Sequence, residues 1–325
     1  MDHRERLEFA INRQDVDMIP VAFWKHFPVD DQDPYQLASS TIDFQKSFDF
    51  DFVKVSPSSS FCLKDWGVVD YWKGNPEGTR EYAEPVIKKP NDWRNLEVLN
   101  PAKGKLQDQI DCLKIIKDGV PSDTPIIQTI FSPISQAKNL VGKSKILTHL
   151  RSYPEEVFLG LDTITQSTIN FIEECMKIKI DGVYFAEQFA SLDFLSTQEF
   201  MQYGKSFDQK IFPILENFWF NILHIHGKHI MFEQIKDFPL QVFNWHDKET
   251  EPDLHTGLNA IKGAVCGGLS LETLVYGDQL AIKSEISRTV KILDRTGLIL
   301  GTGCVIPMIA PHGNIKCAID FIRTQ

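Results

Sequence analysis

From residue 125 onward, short apolar runs of strand character alternate with stretches that carry the helical repeat. Residues 125–130, 182–186, 221–226, 242–247, 264–268 and 298–304 read as strands. Residues 134–140, 154–178, 197–220, 231–235, 258–261, 281–295 and 314–322 read as helices between and after them. Upstream, helical 4–14 and 41–48 accompany two further strands at 19–24 and 52–55. About eight strands alternating with helices cannot close as antiparallel hairpins, and they predict a parallel α/β fold, a (β/α)8 TIM barrel. A chain of 325 residues is a comfortable size for one such barrel.

The rhythm breaks at 58–101. There, 61–63, 68–72, 80–82 and 85–87 look like short strands, and Gly74-Asn75-Pro76-Glu77-Gly78 supplies a turn. This predicts a β-rich insertion after the second barrel strand, followed by a helix at 108–117. No internal repeat and no Gly-, Ser- or Pro-rich linker interrupts the chain, so 1–325 reads as one domain.

The net charge of −10 argues against nucleic acid and anionic membrane surfaces as partners. No run has the length of a membrane span, and the charged start Met1-Asp2-His3-Arg4-Glu5-Arg6 has no apolar core of a signal peptide. Six scattered cysteines without paired spacing suit a reducing, cytoplasmic setting.

In a (β/α)8 barrel the chemistry gathers at the C-terminal ends of the strands. The candidates there are His26, Ser56, Glu187, Gln188, His224, His226, Asn244, His246, Asp247, Gly267, Gly268 and Cys304. Lys54, inside a buried strand, must be paired or line a cavity. In a strand, residues i and i+2 share a face, so His224 and His226 project together. Cys304 stands at the equivalent end of the last strand. Two imidazoles and a thiolate suit a zinc site with one position left open. His-x-His alone is short and common, and by itself reads more readily as two core histidines. Its place at a strand end, matched by Cys304, favours the metal. Glu187 is a candidate fourth ligand or proton acceptor, and Asp247 or Asn244 could orient a ligand imidazole. Lys54, His26, Gln188, Asn244, His246, Gly267 and Gly268 are candidate substrate contacts. A nucleophilic Cys304 is disfavoured because Val305-Ile306-Pro307 follows instead of a helix start. No Walker-type loop is present, and Gly301-x-Gly303 and Gly267-Gly268 lack dinucleotide-fold spacing, although backbone amides there could hold a carboxylate or phosphate.

These segments together resemble the uroporphyrinogen decarboxylase superfamily, over essentially the whole chain. The resemblance rests on Arg4-Glu5-Arg6-Leu7 leading to Ile19-Pro20-Val21, on Asp51-Phe52-Val53-Lys54-Val55, and on Phe131-Ser132-Pro133. It continues through Gly182 to Gln188, His224-Ile225-His226-Gly227, Gly267-Gly268-Leu269 and Gly301-Thr302-Gly303-Cys304. It implies a (β/α)8 barrel, with two main branches to choose between. The decarboxylases carry an arginine-rich stretch after the first strand, whereas this chain has Trp24-Lys25-His26-Phe27-Pro28. Their characteristic tyrosine is replaced near Asn139, and Thr302 stands where they have a late histidine. The zinc-dependent corrinoid methyltransferases are the better match. Their His-x-Cys and late Gly-Cys ligands fall on His224, His226 and Cys304, with histidine replacing the middle cysteine. The resemblance thus implies zinc, a corrinoid co-substrate, a small-molecule thiol-type acceptor and a corrinoid protein as partner. A homodimer is compatible with it. Two other readings stay open: a metal-free decarboxylase acting on a porphyrinogen-like or other carboxylate, and a tetrapyrrole- or corrinoid-binding protein without turnover.

Overall fold

The computed structural model describes residues 1–293 and 295–325. In chain order the strands are β1 (Val53–Val55), β2 (Asp70–Tyr71), β3 (Glu81–Tyr82), β4 (Ile126–Phe131), β5 (Gly182–Glu187), β6 (Ile222–Ile225), β7 (Val242–Trp245), β8 (Ala264–Leu269) and β9 (Leu298–Thr302). Seven of them form one parallel sheet in the order β1-β4-β5-β6-β7-β8-β9. Except for β2 and β3, every strand residue is buried. That is the signature of strands covered on both faces, and their Ile, Val, Leu and Phe content supplies the apolar surface.

The covering helices explain themselves locally. Ser132 caps the helix Pro133–Val141 by accepting from Ser135 N–H, and Pro133 occupies its first turn. The helix Pro154–Ile178 buries Val157, Leu161, Ile164, Thr168, Phe171, Ile172 and Cys175, a stripe at helical spacing. Gly160 belongs to the same face because a Cβ there would fall 2.3 Å from the Trp93 ring. The helix expected over 281–295 is observed at Gln279–Leu293, and Asp294 lies outside the described residues. No helix among the described residues is long and apolar enough to cross a membrane.

Residues 19–24 do not form a strand ladder. Only Val21 makes a bridge, parallel, to Leu300. Leu300 N–H donates to Pro20 O, Ala22 N–H to Leu300 O, and Asp51 N–H to Val21 O. This stretch therefore links β9 to the segment that enters β1, and the sheet curls as in a TIM barrel. The ladder is cut short because Pro20 has no N–H and the Val21 N–H is taken by the Asp51 carboxylate at 2.7 Å.

The excursion after β1 holds less strand than its pattern predicts. Residues 61–63 lie in a 3-10 helix, Phe61–Trp66, and a second 3-10 helix spans Pro90–Asn95. The strands at 68–72 and 80–82 shrink to the two-residue antiparallel pair β2–β3. Arg80 pins this hairpin, donating to Asp70 Oδ1 at 2.9 Å and to Pro28 O at 2.8 Å.

The register places the site. His224 pairs with Ala186 on one side and Asn244 on the other, and Asn244 pairs with Cys266. These residues share one level, and by strand alternation His224 and Asn244 point to the same face, into the barrel.

Candidate metal centre

His224 lies buried one residue before the end of β6, its ring stacked on Tyr184 at 5.2 Å between centroids. Its Nδ1 lies 2.7 Å from Asn244 Oδ1. Asn244 Nδ2 donates to Cys266 O at 2.8 Å and Thr302 O at 3.0 Å, and Tyr184 Oη donates to Asn244 Oδ1 at 3.0 Å. With the amide orientation fixed by two carbonyls, Oδ1 can only accept. His224 therefore carries its proton on Nδ1 and offers Nε2 as a lone pair.

His226 and His246 stand two residues further along β6 and β7, just past the ladder. His226 is held there by its N–H donating to Glu187 O at 2.9 Å. Cys304 follows β9 by two residues, and Gly303 makes its position accessible. A Cβ on Gly303 would fall 2.7 Å from His246 Cα and 2.8 Å from Trp245 O, so only glycine lets the β9 loop lie against the end of β7.

The outcome is a gathering of four donors. Cys304 Sγ is 3.8 Å from His224 Nε2 and 3.8 Å from His226 Nδ1, and His226 Nδ1 is 3.3 Å from His246 Nε2. One ligand atom from each of His224, His226, His246 and Cys304 lies within 4.8 Å of the others. Among the described residues this is the only such gathering of His, Cys, Asp or Glu side chains.

Burial, and then the proximity of the other two imidazoles, holds His224 well below the ordinary histidine range. Burial and then His246 bring His226 down to about 4. Burial pushes the Cys304 thiol up to about 11. The rings of His224 and His226 are thus neutral at physiological pH, the form that ligates a cation. The thiol sits where a cation would draw off its proton.

The remaining sequence candidates divide by face. Lys54 lies in the barrel interior, 4.6 Å from the Tyr184 ring centroid, with Nζ donating to Ser56 Oγ at 3.0 Å. Burial lowers it to about 7. His26 is buried beneath the β2–β3 turn, and a Cβ on Gly78 would fall 2.5 Å from its own Cβ. Gln188 accepts from Lys138 Nζ at 3.4 Å. Gly267 and Gly268 flank Asp247 in the wall, Gly268 N–H donating to Asp247 Oδ1 at 3.4 Å.

Glu187, the candidate fourth ligand or proton acceptor, and Asp247, a candidate for orienting a ligand imidazole, do not join the donors. Glu187 pairs with Ile225, one residue past the Ala186–His224 level, so its side chain takes the outward face. There it accepts from Phe189 N–H at 2.6 Å and meets Ser132 and the equally buried Asp208. Asp247 follows inward-facing His246 and likewise turns outward, against the two glycines and Lys248. Burial raises its carboxyl to about 6. Asn244, not Asp247, hydrogen-bonds the His224 imidazole.

The sequence reading placed His246 among substrate contacts, whereas the structure puts it among the donors. The signal was available: Asn244-x-His246 on β7 repeats the spacing of His224-x-His226 on the neighbouring strand.

The family described as Uroporphyrinogen decarboxylase (URO-D) matches residues 2–325. The chain is 23% identical over 220 residues to "Methylcobamide:CoM methyltransferase MtaA" of Methanosarcina barkeri, covering 67% of this chain and 63% of that protein. It is 20% identical over 240 residues to "Methylcobamide:CoM methyltransferase MtbA" of Methanosarcina acetivorans, covering 73% of this chain and 69% of that one. The match thus spans less than two thirds of the length of the MtaA relative. Among solved structures, a methyltransferase from Methanosarcina mazei superposes with a TM-score of 0.86 at 20% identity, covering 99% of this chain and 98% of its own. That likeness establishes the fold.

Proposed function

The chain belongs to the uroporphyrinogen decarboxylase (URO-D) family, and on that premise we propose that it is a methyltransferase moving a methyl group between a corrinoid and a thiol acceptor held at a zinc ion. The observation that carries the reading is the convergence of His224, His226, His246 and Cys304 within 4.8 Å. It is supported by the MtaA and MtbA relatives, which are corrinoid methyltransferases by name.

The donor set fits zinc. Imidazole nitrogen and thiolate sulfur are its ordinary protein ligands, and four of them suit a tetrahedral ion. His224, His226 and Cys304 would hold the metal, with His246 close enough to them to serve as a further donor. A zinc ion bound there supplies Lewis acidity that lowers the pKa of a thiol.

The chain's own residues do the rest. Asn244 holds the His224 tautomer, and Tyr184 fixes the ring plane by stacking. His226, where the resembling methyltransferases carry cysteine, removes one negative charge from the ligand set. An acceptor sulfur bound here is therefore less electron-rich than at a site with two thiolates, and the site favours anionic acceptors.

Elemental analysis of protein purified without a histidine tag tests the reading, together with methyl transfer from methylcobalamin to 2-mercaptoethanol. About one zinc per chain is expected, lost in His226→Ala and Cys304→Ala along with methyl transfer. A folded chain that cannot be loaded with zinc, or one whose methyl transfer survives metal removal, overturns it.

A further inference from the structure

A cavity of about 280 Å³ lies at the ends of β7, β8 and β9. It borders His246 and Gly303, so it adjoins the donors directly: His246 is one of them, and Gly303 precedes Cys304. Three carboxylate residues line it, Asp247, Glu249 and Glu272, against one ammonium residue, Lys248. The space next to the donors is therefore acidic.

Asp247 is the unusual member of this wall. Its side chain is 1% exposed. Oδ1 accepts from Gly268 N–H at 3.4 Å, and Oδ2 has no hydrogen-bond partner among the described residues. Lys248 does not satisfy it. Its Nζ stands 3.6 Å from Oδ2, donates instead to Thr289 Oγ1 at 3.5 Å, and is shared with Glu285 at 4.0 Å. A buried carboxylate oxygen without a donor is costly until one arrives. The carboxylates of the wall do not converge as ligands of a bare ion do, since among the described residues only the His and Cys donors gather in that way. Nor does the wall hold a Phe, Tyr or Trp face on which a methylated cation could rest. What fits is a cation that brings its own hydrogens, a primary ammonium.

We propose that this cavity takes a primary ammonium group at the far end of the acceptor, so that the acceptor is an aminothiol with its sulfur at the donors and its ammonium among Asp247, Glu249 and Glu272. The inference rests on the thiol-acceptor reading for the sulfur and adds the chemistry of the other end. A thiol with a carboxylate or sulfonate tail meets only like charge in this cavity apart from Lys248, and is turned away from it.

The test uses the full chain loaded with cobalt(II), whose visible spectrum changes when a thiol binds. Cysteamine and 2-mercaptoethanol are titrated into the parent and into the Asp247→Asn/Glu272→Gln double variant. The two thiols differ in acidity, and cysteamine can chelate, so the quantity read is the ratio of their affinities in the parent relative to the variant, which those properties leave unchanged. We expect the double variant to lower the cysteamine-to-mercaptoethanol ratio about 10-fold. Glu272→Gln alone, at an exposed position, should lower it about 3-fold without disturbing the fold. Glu216→Gln should leave it unchanged, because Glu216 lies between the helix Ser206–Leu215 and the start of β6, at the opposite end of the barrel. A ratio that is the same in the parent, Glu272→Gln and the double variant overturns the ammonium site. Calorimetric titration with propylammonium, which has no sulfur, separates the two readings. If no thiol alters the cobalt spectrum but propylammonium binds the parent and not the double variant, the thiol-acceptor reading fails and the ammonium site stands. If 2-mercaptoethanol reaches the cobalt but propylammonium does not bind, the ammonium site alone fails.

Discussion

Asn244 decides which nitrogen of His224 carries the proton. Its Oδ1 lies 2.7 Å from His224 Nδ1, and both of its amide hydrogens are spent on the carbonyls of Cys266 and Thr302. The contact therefore runs in one direction only, and the lone pair of His224 faces Cys304.

Replacing Asn244 by leucine should cost zinc affinity about 10- to 100-fold, the usual effect of removing a group that orients a ligand imidazole. It also leaves two buried carbonyls and the Tyr184 hydroxyl without partners, so stability should fall by about 2 kcal/mol or more. Competition against a chromophoric chelator reads the first effect and denaturant unfolding the second. An affinity within about 2-fold of the parent would show that stacking on Tyr184 alone orients the ring.

His246 should prove a weaker contributor to metal retention than His226 or Cys304. It stands beyond the ladder with its side chain 12% exposed, and its Nδ1 has only the carboxylate of Glu249 at 3.5 Å. The His246→Ala chain should retain cobalt(II) but with an altered visible spectrum, while His226→Ala and Cys304→Ala should lose it. Indistinguishable spectra of parent and His246→Ala would place His246 outside the metal's ligands.

Gly303→Ala should damage the centre without touching a ligand. The new methyl group would collide with the backbone of Trp245 and His246, forcing the loop that carries Cys304 outward. A destabilisation of about 1–3 kcal/mol is expected, with weaker metal binding. Unchanged metal affinity would mean that the loop shifts without moving Cys304.

Glu187 and Asp208 give a pH dependence whose sign can be fixed. Burial, and then Glu187, raises the Asp208 carboxyl well above its ordinary range, and burial also raises Glu187. The native pair therefore keeps a proton that the unfolded chain releases. Its contribution to stability is complete below the unfolded carboxyl range, at about pH 4, and is lost as pH rises through the raised native values. Asp208→Asn supplies a permanent donor to Glu187 and has no proton of its own to lose. The unfolding midpoint of the parent should therefore fall more steeply than that of the variant from about pH 5 upward. Parallel curves would show that the two carboxyls do not share a proton.

The parts of the molecule legible in the sequence are those that repeat a period. Strand–helix alternation gave seven of the expected strands, and the two-residue period brought His224 and His226 to one face. The stretch 19–24 misled because its apolar pattern conceals Pro20 and the capture of Val21 N–H by Asp51, a contact made across sequence. Phe61-Cys62-Leu63 is buried throughout, and a short buried run reads alike as strand or 3-10 helix. Glu187 and Asp247 misled through parity. Each lies at a strand end as expected, but one residue out of phase with the inward positions Ala186 and His246.

The alternation along β5 has a practical meaning for anyone altering this protein. Glu187 and Gln188 are covalent neighbours, yet their side chains meet different partners: Glu187 meets Asp208, and Gln188 accepts from Lys138 Nζ. A change at the first is felt in how the chain survives acid, alkali and heat. A change at the second is felt first by Lys138.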